Sequence, residues 1–242
     1  MVFMKRDLLA FAVGLFVILL GCFGAVQHIA PAVAVTQPAA SPVLILDAGH
    51  GGVDGGASSA AGDKESDINL SIVLRLESLM AFLGVDTVLT RSEDISIHDD
   101  SCETLREKKV SDLKNRVELI NSTPGAMLIS VHQNTFTDPR YQGAQIFFGS
   151  GEVSAQWGTY TQETVQSFLD PNNTRKAAVI PDHLYLFKHI GCPAILVECG
   201  FLSNGEEASL LLTDTYQRKI AITLAGSYVH QLQMIPSPLG GD

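Results

Sequence analysis

Charge is scarce in this 242-residue sequence, at 17% of residues, and it is unevenly signed. Sixteen Lys and Arg stand against 26 Asp and Glu, for a formal net charge of −10. A chain so short of basic residues argues against a nucleic-acid partner, because such partners select basic patches. Cysteine is scarce too. Four cysteines do not make a disulfide framework here. Cys192 and Cys199 would lie roughly 20 Å apart on an extended strand, whereas a disulfide needs Cα atoms within about 7 Å. They read as small buried residues rather than ligands, and Cys102 has no evident partner. The glycine-rich turn Gly49-His50-Gly51-Gly52 is not followed by Gly-Lys-Ser/Thr, so it is not a P-loop. Between Arg6 and Lys64 there is no Lys or Arg at all.

That last absence gives the N-terminus its meaning. Lys5 and Arg6 precede a run from Leu8 to Val26 without a charge, long enough to cross a bilayer as a helix. The positive-inside rule puts the N-terminus in the cytoplasm and the rest of the chain outside. Residues 1–29 are thus a signal peptide or a membrane anchor. Ala32-Val33-Ala34 suits a signal peptidase, and Leu19-Leu20-Gly21-Cys22 is a passable lipobox that would lipidate Cys22. Residues 30–41, rich in Pro, Ala and Val, read as an extended linker. One domain follows over residues 42–233, and residues 234–242 read as a disordered tail.

Within the domain, three short apolar runs read as buried strands: Val43–Leu46, Met127–Val131 and Ala194–Val197. Helical spacing recurs after Ser66 or Asp67, which serve as N-cap, and again over Leu105–Asn121, where Leu113, Val117 and Ile120 form the stripe. A further helix is predicted over Val153–Phe168, with Trp157, Val165 and Phe168 in the core. Val85–Thr90, Gln145–Phe148 and Leu184–Phe187 read as strands. Two helices, about Asn204–Leu212 and Thr215–Gln233, close the domain. Asp54–Asp63 reads as a flexible polar stretch, and His98-Asp99-Asp100 as part of a solvated loop. Strands alternating with helices predict an α/β domain with a central, mostly parallel twisted sheet flanked by helices.

In such sheets ligands bind beyond the carboxyl ends of the strands. His50, His132 and Glu198 each stand at or just past the end of a buried run, which makes them one constellation. Adding Glu65 gives a two-His, one-carboxylate set, His50, Glu65 and His132, of the kind that holds a catalytic zinc. Glu198 then remains as an unligated carboxylate for proton transfer. Each has a plainer reading: Glu65 as a helix-terminus charge, His132 as a hydrogen-bonded core residue, Glu198 as the partner of Arg91 or Arg218.

Asp-Ala-Gly-His-Gly-Gly (47–52), Lys-Glu (64–65), Ser-Val-His-Gln-Asn (130–134) and Val-Glu-Cys-Gly-Phe (197–201), in this order, resemble the zinc-dependent N-acetylmuramoyl-L-alanine amidases of bacterial cell walls. The likeness runs from about Pro42 to Leu232. Asn172-Asn173-Thr174-Arg175-Lys176-Ala177 and Gly200-Phe201-Leu202-Ser203-Asn204 are most similar to the germination-specific members of spore formers. Gln133 and Cys199 depart from the family pattern without touching a ligand position. The resemblance implies hydrolysis of the amide between N-acetylmuramic acid and L-alanine in peptidoglycan. It implies zinc on His50, Glu65 and His132, with Glu198 carrying the proton. It also implies a role in spore-cortex maturation, where a separate deacetylase completes muramic lactam. The sequence carries no wall-binding repeats, so targeting falls to the N-terminal segment, to an activating partner protein or to the substrate. The rival readings are another zinc peptidase, such as a carboxypeptidase, and a catalytically silent wall-binding protein.

Overall fold

The computed structural model describes residues 42–235; the N-terminal segment, its linker, Cys22 and most of the tail lie outside them. Six strands form one sheet in the order β2-β1-β3-β6-β4-β5. They are β1 (Val43–Ala48), β2 (Thr87–Leu89), β3 (Ala126–Asn134), β4 (Gln145–Phe148), β5 (Ala178–Val179) and β6 (Ala194–Phe201). β1 pairs in parallel with β2 and β3, β3 with β6, and β4 with β5; only the β4–β6 pairing is antiparallel. The expected mostly parallel α/β sheet is therefore present, with its one reversal on the β4 side.

Strand alternation sorts the residues between two helical layers. Leu44 and Leu46, Ile129 and Val131, and Ile195, Val197 and Cys199 face one way. They pack against α1 (Glu65–Phe82), α3 (Glu152–Thr164) and α6 (Asp214–Met234), which bring Ile72, Leu76, Trp157, Leu224 and Tyr228. The other face carries Ile45, Leu128 and Ala194 and is covered by α2 (Leu105–Ser122) and the short α4 (Tyr185–His189). A short α5 (Gly205–Leu211) follows β6. None of the described helices is long and apolar enough to cross a membrane.

The structure corrects four local expectations. Leu184–Phe187 is not a strand; the chain turns at Leu184 and forms α4, whose one buried side chain is Leu186. Phe168 is not core. α3 widens into a π-helical turn over Val165–Leu169, which keeps Val165 buried and rotates Phe168 outward to 76% exposure. α1 has no Ser66 or Asp67 cap; Lys64 is its N-cap, and Glu65 is its first helical residue. Residues 54–63 are tied down by backbone bridges Gly51–Asp54 and Ser58–Lys64, and by the Ser66 amide donating to the Gly55 carbonyl at 3.1 Å. Cys102, Cys192 and Cys199 are free. Cys199 faces the core away from Glu198, and burial pushes its thiol far above the ordinary value.

Candidate active site

The site is assembled at the carboxyl edge of β1, β3 and β6. His50 follows β1 in a left-handed backbone conformation, φ 62°, which an L-residue adopts only when its surroundings impose it. Two buried arginines do so. Arg116 on α2 donates to the carbonyls of Ala48 (2.9 Å) and His50 (2.7 Å). Arg91 donates to Ala48 (2.9 Å) and Gly49 (3.1 Å). Arg116 is itself held by Asp112 and by Asp47, the residue that ends the apolar run of β1. Asp47 also accepts from Ser130 (2.6 Å) and Thr90 (2.8 Å). Burial raises its pKa, but Arg116, His132 and these hydroxyls outweigh burial and bring the group down to about 2.

Glu65 reaches inward from the start of α1. It accepts backbone N–H bonds from Ala57 (2.9 Å) and Gln133 (3.1 Å). Its Oε1 lies 2.9 Å from His132 Nδ1 and 3.3 Å from His50 Nε2. Burial opposes its ionisation, but the two imidazoles more than compensate, and its carboxyl stays well below the usual range. Asp54 takes the far nitrogen of His50, Nδ1, at 3.0 Å, and Lys109 takes the other oxygen of Asp54 at 2.8 Å. Burial lowers the His50 pKa, yet Asp54 and Glu65 bring it up to about 9. Gly49 has no alternative here: a Cβ would overlap the His132 ring.

His50, Glu65 and His132 each offer one ligand atom, and these atoms lie within 4.8 Å of one another. A single ion can touch all three, and they are the only such group among the described residues. His98, Asp99 and Asp100 are not part of it. Glu198 is the register partner of His132 on the neighbouring strand, so the two side chains share a face. Its Oε2 is shut off from solvent and has no hydrogen-bond partner among the described residues. Arg91 is spent on backbone carbonyls, and Arg218 pairs with Asp214 (2.6 Å), so neither occupies Glu198. Burial raises the Glu198 pKa above the ordinary carboxylate value, against the pull of His132. A cleft of about 350 Å³ opens in front of these residues, walled by Leu113, Leu184, Leu186 and Phe187, with Lys109 and His183 as polar members.

The structure thus brings together all four residues picked from the sequence. Sequence reasoning missed Asp54, Lys109 and Arg116. For Arg116 a signal existed: it lies three residues after Leu113 and four before Ile120, inside the buried stripe of α2.

An α/β sheet carrying a two-His, one-Glu group able to hold a metal, with a free carboxylate beside it, has the layout of a metal-dependent hydrolase. Comparison with known proteins narrows this. The family model described as N-acetylmuramoyl-L-alanine amidase matches residues 44–227, and the chain belongs to that family; it is an enzyme of the amidase class. The germination-specific N-acetylmuramoyl-L-alanine amidase of Bacillus subtilis (strain 168) is 34% identical over 190 residues, covering 77% of this chain and 78% of the relative. The Escherichia coli (strain K12) amidase AmiA is 27% identical over 239 residues, covering 78% and 76%. The CwlD amidase of Clostridioides difficile, solved in complex with the GerS lipoprotein, superposes with a TM-score of 0.77 at 38% identity. It covers 80% of this chain and 99% of that one.

Proposed function

We propose that the chain hydrolyses the amide between N-acetylmuramic acid and L-alanine in peptidoglycan, using one zinc ion held by His50, Glu65 and His132, with Glu198 as the proton carrier. The observation that carries the reading is the pairing of that three-residue group with the unpartnered carboxylate of Glu198. The donor set fits zinc in its chemistry: two imidazole nitrogens and one carboxylate are the protein half of a catalytic zinc site. Asp54 behind His50 supplies the outer hydrogen bond that fixes a ligating ring.

When bound, zinc supplies Lewis acidity that brings the pKa of water toward neutrality and polarises the carbonyl. The chain's own residues do the rest. Glu198 takes the proton from the attacking water and delivers it to the amide nitrogen, so that the C–N bond breaks with a neutral amine leaving. Its raised pKa suits both halves of that task. Arg116 and Arg91 hold the backbone that aims His50, and the backbone N–H groups of Ala57 and Gln133 fix the Glu65 carboxylate in place.

Residues 42–233 form the catalytic domain in this reading. Residues 1–29 act as signal peptide or membrane anchor, 30–41 as linker and 234–242 as tail, so that the enzyme works outside the cytoplasm. Likeness to the germination-specific relative supports a substrate in the spore cortex, with stem peptides removed before a deacetylase completes muramic lactam. The lipoprotein in complex with the Clostridioides difficile relative supports a partner protein for this chain as well. The test is mass spectrometry of peptidoglycan fragments incubated with the protein and zinc. Release of intact stem peptides from muramic acid is the expected result. Trimming of free peptides from their carboxyl ends would make the chain a carboxypeptidase, and no change in any fragment would make it a silent wall-binding protein.

A further inference from the structure

Among the described residues, Arg75, Arg116, Arg140 and Arg218 each pair with an aspartate. Arg175, half-buried between the π-helical turn and β5, has no carboxylate among the described residues within ion-pair distance. It is nonetheless held firmly. Its Nε donates to the Gln142 carbonyl (2.8 Å) and its Nη1 to Gln145 Oε1 (2.9 Å). Its guanidinium carbon lies 4.5 Å over the Phe201 ring and 6.0 Å from the centre of the Tyr141 ring. Glu207 lies close enough to feel this charge, but its oxygens are taken by the backbone N–H groups of Gly143 (2.9 Å) and Phe201 (2.7 Å). The Nη2 group of Arg175 has no acceptor among the described residues.

The position matters as much as the missing partner. Gln145, which carries Nη1, is the register partner of Glu198 across the antiparallel β4–β6 pair. Directly opposed residues of such a pair share a face, with Cβ atoms about 5 Å apart. A pinned cation with a spare N–H edge therefore lies one glutamine side chain away from the residue that moves the proton. Arg175 keeps its Nη2 edge open to water or to a ligand. Its order in advance of binding removes the entropy that a floppy Arg would lose.

We propose that Arg175 is a specificity-determining residue that binds a carboxylate of the stem peptide beside the scissile amide. This rests on the amidase reading above. In an uncut muramoyl peptide the lactyl carboxyl is consumed in the amide and the sugar is uncharged, so the available carboxylates all lie on the peptide. The nearest belongs to the acidic residue after L-alanine, whose side-chain linkage leaves its α-carboxylate free. A guanidinium suits that group geometrically and electrically.

The experiment uses the full chain with zinc and two substrates, N-acetylmuramoyl-L-alanyl-D-glutamate with its γ-carboxyl blocked as an amide, and the same compound with the α-carboxyl also amidated, so that the α-carboxylate is the only carboxylate that differs. A charge-assisted hydrogen bond predicts a preference of roughly tenfold or more in kcat/KM for the carboxylate, expressed mainly in KM. Arg175→Gln is expected to abolish that preference while leaving the amide substrate near its parent rate. Arg175→Lys, which keeps the charge but not the fork, should retain part of it. Equal losses on both substrates in either variant, or no preference in the parent, overturn the proposal. If the parent cleaves neither substrate, the amidase reading falls first and this one with it.

Discussion

Arg116→Met is the substitution that most directly tests how the site is held. The guanidinium is 2% exposed. It joins Asp112 (2.8 Å) and Asp47 (2.5 Å) to two backbone carbonyls of the His50 turn. Methionine fills much of the same volume but leaves Asp47 ionised and buried with only hydroxyl partners. Removing one member of a buried ion pair costs about 3–5 kcal/mol, against a total stability of about 5–15 kcal/mol. For a domain of this size that corresponds to a fall in Tm of roughly 6–20 °C. Urea titration and calorimetry measure it. The pH dependence adds a sign. With Arg116 present, Asp47 titrates at about 2 in the fold, below the ordinary aspartate value of 3.8. Its stabilisation is therefore complete above 3.8 and lost as pH falls through about 2. Without Arg116, burial acts with less opposition and moves the folded pKa upward, so protonation relieves the variant. The gap between parent and variant should narrow from about pH 7 to about pH 4. A gap below about 1 kcal/mol at neutral pH, or one indifferent to pH, would refute this account of the network.

The remaining predictions address ligands and boundaries. Asp54→Ala should weaken zinc binding about 10–100-fold, the usual loss when the outer partner of a ligating His is removed; competition with a chelator measures it, and unchanged affinity would remove Asp54 from the site. Gly49→Ala should abolish hydrolysis by displacing the His132 ring, with zinc content falling in parallel. A protein beginning at Thr36 should remain soluble and melt cooperatively, because the region removed carries the predicted anchor and much of its linker; an unfolded product would move the domain boundary.

What the sequence made legible was the period-2 and apolar-run content of the sheet. β1, β3 and β6 are continuous hydrophobic runs because helices cover both faces, and the polar residues at their ends stand out against them. That contrast located His50, His132 and Glu198 without any knowledge of depth or distance. Glu65 reads as the carboxylate that completes a two-His set at a helix start near the His50 turn, although a glutamate at a helix start is otherwise ordinary. What stayed hidden depended on tertiary contact. Tyr185–His189 has five residues, too few for periodicity to separate helix from strand. The π-helical turn that exposes Phe168 shifts the phase of α3 by a residue without a Gly or Pro inside it to signal the change. The Asp54–Lys109 pair joins a polar loop to a charged stretch of α2 far away in the chain, a contact that no local pattern signals. Arg116 was the exception, a charge inside an apolar stripe, where burial was written in the spacing.

Three carboxylates stand at this one sheet edge, and their surroundings give them three roles. Asp47 is neutralised by Arg116 and two hydroxyls, so it is structural. Glu65 is neutralised by two imidazoles and two backbone N–H groups, so it remains ionised and suited to a cation. Glu198 has a solvent-shielded oxygen with no partner among the described residues, and its pKa is raised. Groups of one type whose environments drive their pKa values apart are how acid–base assignments arise. Glu198→Gln keeps the shape and removes only the capacity to accept a proton. Turnover should fall by at least about 10²–10⁴-fold, while zinc content stays at the parent value because His50, Glu65 and His132 are untouched. Rate and metal content measured on the same preparation separate the roles. Loss of zinc would make Glu198 a ligand. Retained zinc with near-parent turnover would pass the proton to another group, and Glu65 is the first to examine, since its oxygen already meets both histidines.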